Sequence, residues 1–161
     1  MTVTSIEKDL AARTLTVTAQ FAADPARVWQ VWADPRRLER WWGPPTHPAT
    51  FVEHALEVGH ISRYFMTGPD GERYHGWWRI VAVAEPTDLA FEDGFADDEG
   101  RPNDELPVTQ ARVRLHDDAG GTRMVIESTF PSTDAMAQVL AMGMEEGLTQ
   151  ALGQIDALLV A

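Results

Sequence analysis

The sequence predicts an α+β fold in which antiparallel hairpins pack against one long C-terminal helix. Three observations carry this: a period-two strand near the N-terminus followed by two proline-started helix signals, turn-punctuated strands through the middle, and an apolar repeat at spacing three or four towards the end.

Leu15, Val17, Ala19 and Phe21 alternate with Thr16, Thr18 and Gln20, which marks a first strand with one buried face. Asp24-Pro25 then supplies an N-cap acceptor and a proline at the first helical position, and Val28, Trp29, Val31 and Trp32 follow at helical spacing. Asp34-Pro35 repeats the signal for a second short helix carrying Leu38, Trp41 and Trp42, stopped by Gly43-Pro44-Pro45. About six strands come next. Residues 50–66 read as two, broken at Val58-Gly59; Pro69-Asp70-Gly71 turns into a strand over 73–84, and residues 89–93 form a short further one. The acidic, Gly- and Pro-containing stretch 97–107 reads as a solvated excursion. Ala111, Val113 and Leu115 face Met124, Ile126, Ser128 and Phe130 across the Ala119-Gly120-Gly121 turn. Beyond Pro131, Ser132 or Thr133 caps a helix of about 27 residues, roughly 40 Å long at 1.5 Å per residue. Met136, Leu140, Met144, Leu148, Ala151, Ile155 and Leu158 form its apolar stripe. Gly143, Gly147 and Gly153 within it point to a bend or to close approach of another element, the competing reading being that the helix merely tolerates them.

Composition narrows the function classes. With 44% hydrophobic and 24% charged residues the chain is ordinary globular material, and its 161 residues suit one domain, 1–161. The net charge of -12 repels phosphate backbones and anionic bilayers, so neither nucleic acid nor membrane insertion is expected. Without cysteine there is no disulfide, thiolate metal site or cysteine nucleophile, and a cytoplasmic location is the expectation. The five histidines form no HExxH or His-x-His pattern, and no nucleophile elbow, P-loop or dinucleotide fingerprint occurs; no metal and no cofactor are expected. His54 and His60, near Glu53 and Glu57, read as solvated strand residues.

Several motifs in order carry a resemblance: Phe21 to Trp32 with its VWxxW core, Asp34-Pro35 through Trp41-Trp42-Gly43-Pro44, Val58-Gly59, Gly68-Pro69-Asp70-Gly71, Gly76, Gly120-Gly121-Thr122-Arg123, and Met144-Glu145-Glu146-Gly147-Leu148. Together they resemble the bacterial homologues of the activator of the Hsp90 ATPase, in the START-like (SRPBCC) superfamily that also holds polyketide cyclases and lipid-transfer domains. The resemblance implies the helix-grip, Bet v 1-like fold, a curved antiparallel sheet wrapped around the C-terminal helix with a cavity between them. Gly59-His60 and Gly143-Met144 depart from the double glycine and the Gly-Trp pair common among relatives, and the second departure changes the size of a cavity.

Six tryptophans dominate any interior. Adjacent helical residues point about 100° apart, so one ring of Trp41-Trp42 fills the core while the other, Trp42, flanks an opening. On the strand through Trp77-Trp78, the set Trp78, Ile80, Ala82 competes with Trp77, Val81, Val83 for the inner face, and a bulge exchanges them. The resemblance places Ser62, Tyr64 and Met66 inward, with Phe91, Val113 and Met124, and Trp78 joins them as a candidate. Met136, Leu140 and Met144 supply the helix side. A filled interior is the competing reading. The expected function is binding of a small hydrophobic or aromatic molecule, with homodimerisation left open. The alternatives are a polyketide cyclase or aromatase-like enzyme, in which Tyr64, Ser62 or His75 steers proton transfer, and a protein-interaction or co-chaperone-like module built on the tryptophan-bearing helices.

Overall fold

The computed structural model describes residues 3–160. Eight strands are formed: β1 (Val3–Asp9), β2 (Thr14–Phe21), β3 (Ala49–Glu53), β4 (Ile61–Thr67), β5 (Arg73–Ala84), β6 (Asp88–Phe95), β7 (Thr109–Asp118) and β8 (Gly121–Thr129). They make one antiparallel sheet in the order β1-β2-β8-β7-β6-β5-β4-β3. Alternation decides the faces. Leu15, Val17, Ala19 and Phe21 of β2 turn inward beside Met124 and Ile126 of β8, Val113 and Leu115 of β7, and Leu89 and Phe91 of β6.

Two details depart from expectation. The sequence gives no strand signal before Leu15, yet β1 pairs with β2 along the sheet edge. Its register shifts between Val3 and Ser5, and only Val3 and Ile6 are half-buried, so no period-two pattern is present to detect. On β5, Trp78 and Ile80 face inward, a register shift against β6 follows between Ile80 and Ala82, and Val83 then packs towards the core. Each competing face of that strand is therefore correct on one side of the bulge.

Helix α1 (Pro25–Ala33) is capped by the Asp24 carboxylate, which accepts from the Arg27 N–H at 2.9 Å, and α2 (Pro35–Leu38) by Asp34, which accepts from Arg36 at 2.9 Å. The C-terminal segment is a chain of three helices, not one rod: α3 (Thr133–Ala141), capped by Ser132 Oγ, α4 (Met144–Leu152) and α5 (Ile155–Leu159). Gly143 ends α3 with φ +88°, a left-handed conformation that glycine adopts without a Cβ penalty, and its N–H donates to Leu140 O at 3.0 Å. At Gly153-Gln154 the chain shifts to a tighter turn, with Gln154 N–H donating to Ala151 O.

Helix α1 packs against β7, β8 and α5, bringing Trp29 and Trp32 into the core with Trp41. Rings then fill this half of the grip: Trp32 meets Trp41 edge-on at 4.7 Å, and Trp78 stacks on Phe91 at 4.1 Å. Among the described residues, no helix is long and apolar enough to cross a membrane.

Candidate functional site

The other half of the grip is hollow. A partly open cavity of about 580 Å³ lies between the strand ends around Tyr64, Met66, Tyr74 and Asp93 and the helical wall formed by Val139, Met144, Gly147, Leu148 and Ala151. That volume falls within the range of small-molecule sites.

One wall is the Trp41-Trp42-Gly43-Pro44 segment. Trp41 is fully buried, and its indole N–H donates to Val31 O at 2.8 Å; Trp42 turns the other way and lines the cavity, edge-on to Trp78 at 4.8 Å. Gly43 turns the chain with φ +96°, where an added Cβ would stand 2.4 Å from His47 O. From the helix side, Gln154 Nε2 donates to the carbonyls of both Trp41 and Gly43, at 3.3 and 2.9 Å, and so ties the segment to the junction of α4 and α5.

The inner end holds the chemistry. Tyr64 stacks on Phe51 at 5.0 Å and crosses Gly76 of the neighbouring strand, whose missing side chain makes room for its ring. The Tyr64 hydroxyl donates to Asp93 Oδ1 at 2.9 Å. Asp93 follows Leu89 and Phe91 on the inward face of β6 and lines the cavity, and its carboxylate accepts no other hydrogen bond from a described residue. Burial pushes its carboxyl up from 3.8 to about 7, with the Tyr64 hydrogen bond opposing the rise. Tyr64 in turn is driven well above the ordinary phenol value, first by burial and then by the neighbouring Asp93 charge. The indole N–H groups of Trp42 and Trp78 are buried and find no hydrogen-bond partner among the described residues.

Of the residues singled out in the sequence, Trp42, Tyr64, Met66 and Met144 are brought together around this cavity. Ser62, Trp78, Phe91, Val113, Met124 and Met136 also face inward but lie in the packed half, each almost wholly buried, while Leu140 packs half-buried against the same core. The physical reason is that α1 fills that half: Trp32 donates to Met124 Sδ at 3.4 Å and packs against Phe91. Of the three side chains proposed to steer protons, Tyr64 reaches the cavity; Ser62 is sealed in the core, and His75 packs beside Phe65 on the neighbouring strand.

His54 is not the solvated strand residue that alternation suggests. It lies just past the end of β3, where its Nε2 meets Trp32 O at 2.7 Å and its Nδ1 meets Ser62 Oγ at 2.8 Å. The carbonyl can only accept, so Nε2 carries a proton, and in the neutral ring Nδ1 accepts from the Ser62 hydroxyl. Burial, aided by nearby His60, lowers the His54 pKa against the opposing bond to Trp32 O. Trp29, Trp32 and Trp41 are all buried, so the exposed apolar patch imagined for a protein-interaction module is absent from these helices.

Sequence reasoning missed Asp93 and His47, and on the cavity face of α4 it named Met144 alone as a site residue. Asp93 alone left a usable signal, a carboxylate in register with inward Leu89 and Phe91.

A curved sheet gripping a C-terminal helical segment around an internal cavity defines a helix-grip domain of the START-like class. The chain belongs to the family described as Activator of Hsp90 ATPase homolog 1-like protein, whose model matches residues 22–160. It is similar to a Mycobacterium smegmatis protein of known crystal structure, at 52% identity over 97% of this chain and 96% of that one, with a TM-score of 0.90. An Arthrobacter aurescens protein solved by NMR is also 52% identical, covering 99% of this chain and 92% of its own, with a TM-score of 0.95. A Staphylococcus epidermidis protein at 24% identity, covering 97% and 93%, shares the fold with a TM-score of 0.84. No curated protein matches the chain.

Proposed function

We propose that this chain, one START-like domain over residues 1–161, binds a small, mostly apolar molecule in the cavity between its sheet and C-terminal helices. The observation that carries the reading is the cavity itself: about 580 Å³, walled chiefly by apolar side chains, with the polar pair Tyr64 and Asp93 at its inner end. Placement in the cytoplasm belongs to the same proposal and rests on the cysteine-free composition. Titration with the neutral fluorophore N-phenyl-1-naphthylamine tests it. Saturable enhancement and a raised melting temperature are expected, with both lost in Gly147→Leu, which projects a side chain into open cavity space. Absence of binding by any apolar probe would sink the reading.

A second reading, a cyclase-like enzyme, is favoured by one observation: the cavity lining holds a carboxylate, Asp93, which burial pushes up to about 7, the range that suits a general base. In this role its carboxylate accepts a proton from the carbon between two carbonyls of a polyketone, leaving an enolate. Deuterium exchange at that carbon, followed by NMR, should then be faster with the native protein than with Asp93→Asn. Equal rates would remove the enzyme reading and leave the binding one intact.

A further inference from the structure

We propose that the molecule selected by this cavity carries a cationic amine, seated on the Asp93 carboxylate and enclosed by the rings of Trp42, Tyr64, Tyr74 and Phe95. The inference rests on the ligand-binding reading above and specifies its ligand class.

The first support is an unmatched acceptor. A carboxylate offers about four lone-pair sites, and a single hydroxyl occupies one of them at Oδ1. Asp93 forms no ion pair, and among the described residues neither lysine nor arginine lines the cavity. A buried carboxylate without a cation is costly, and one removed by protonation loses its strength as an acceptor. An ammonium supplies both the missing charge and the missing donors, with charge-assisted hydrogen bonds stronger than neutral ones.

The second support is the wall. Four aromatic side chains line the space, and their electron-rich faces attract a cation once water is displaced. The apolar residues of α3 and α4, including Val139, Met144 and Leu148, leave room for the hydrocarbon part of such a ligand. At longer range, the net charge of -12 draws cations and repels carboxylates.

Proton linkage gives the idea a signature. Tyr64 from β4 is bonded directly to Asp93, and the cavity lining adds Tyr74 from β5 and His47 from the loop before β3, whose Nδ1 is engaged by Thr46 at 2.7 Å; β7 contributes Thr109, and α3 and α4 contribute no titratable side chain. Among the described residues Asp93 is thus the sole side-chain carboxylate of the lining, and an ammonium must displace its proton wherever it is protonated. Affinity for an amine should therefore climb as pH rises towards about 7 and level off above it.

Calorimetric titration with two matched pairs, tryptamine against tryptophol and octylamine against octanol, is the test, with indole-3-acetate as the anionic member. At pH 8, each fitting amine should bind about tenfold or more tighter than its alcohol, a ratio set by one charge-assisted bond over a neutral one. The acetate should bind weakest. Below the Asp93 pKa, amine affinity should fall about tenfold per pH unit while alcohol affinity stays flat. Asp93→Asn should bring amine and alcohol together, whereas Tyr64→Phe, which keeps the carboxylate, should retain the preference. Alcohols binding as well as amines, or a preference that survives Asp93→Asn, would overturn the inference while leaving the cavity reading in place. If N-phenyl-1-naphthylamine and both pairs all fail to bind, the two fall together.

Discussion

Asp93 shows how one residue can weaken a fold in order to equip a cavity. Its carboxyl pKa is raised from 3.8 to about 7, so between those values the native protein holds a proton that the unfolded chain has released. Stability contributed by this site is therefore present below about pH 4 and is lost as pH rises to about 7, at a cost on the order of 4 kcal/mol before relaxation and cavity water reduce it. Asp93→Asn keeps the acceptor for Tyr64 and should raise the melting temperature clearly at pH 8 and little at pH 4; equal gains at both would show that the carboxylate is well solvated. His54 has the opposite sign. Its lowered pKa means that the unfolded chain takes up a proton first, so its contribution is present above about 6.5 and declines as pH falls below that value. Ser62→Ala removes the donor to the buried Nδ1 and should cost about 1–2 kcal/mol in chemical denaturation.

At the scale of elements, the glycines of the C-terminal helices separate into distinct roles. Gly143 holds φ +88° with open space where a Cβ would stand, so Gly143→Ala should cost about 1 kcal/mol through backbone conformation alone. Gly147 lies inside α4 with ordinary helical geometry and equally open space. Gly147→Ala should therefore stabilise by up to about 1 kcal/mol while narrowing the cavity, which thermal melts with and without N-phenyl-1-naphthylamine would resolve. Close approach of a neighbour, one of the two reasons the sequence suggested for these glycines, is thus absent at both positions; the bend is real at Gly143. Gly76 is the contrasting case on a strand. An added Cβ would come within 2.5 Å of the Tyr64 ring, so Gly76→Ala should cost about 1–3 kcal/mol and disturb the Tyr64–Asp93 bond.

The whole molecule is a shell that is solid at one end and open at the other. Gln154 joins the two ends, since its side chain holds the Trp41-Gly43 wall against the helical junction. Gln154→Ala should cost about 1–2 kcal/mol and speed amide exchange in residues 41–47, which hydrogen-exchange mass spectrometry can localise. A domain with 25 acidic and 13 basic side chains also repels itself at low ionic strength. Raising salt from about 10 mM to about 0.2 M shortens the screening length to under about 10 Å and should raise the melting temperature. A fall would mean that surface ion pairs such as Arg79–Glu92 outweigh the repulsion.

By itself the sequence determined the strand alternation, the Asp24 and Asp34 caps and a further cap at Ser132 or Thr133, the α+β order and, through its spaced motifs, the family; these depend on neighbours close along the chain, and the residue order records them directly. Through the family resemblance it also placed most of its candidate residues on the inner face, and alternation keeps strand residues two apart on the same side. Tertiary structure alone decided which inner residues meet a cavity and which meet a ring. Ser62 and Tyr64 share a strand and a face, yet one is sealed beneath His54 and the other reaches the void. That difference arises from where α1 and its tryptophans stop filling the grip, a matter of volume between elements distant in the chain, and no local pattern encodes it.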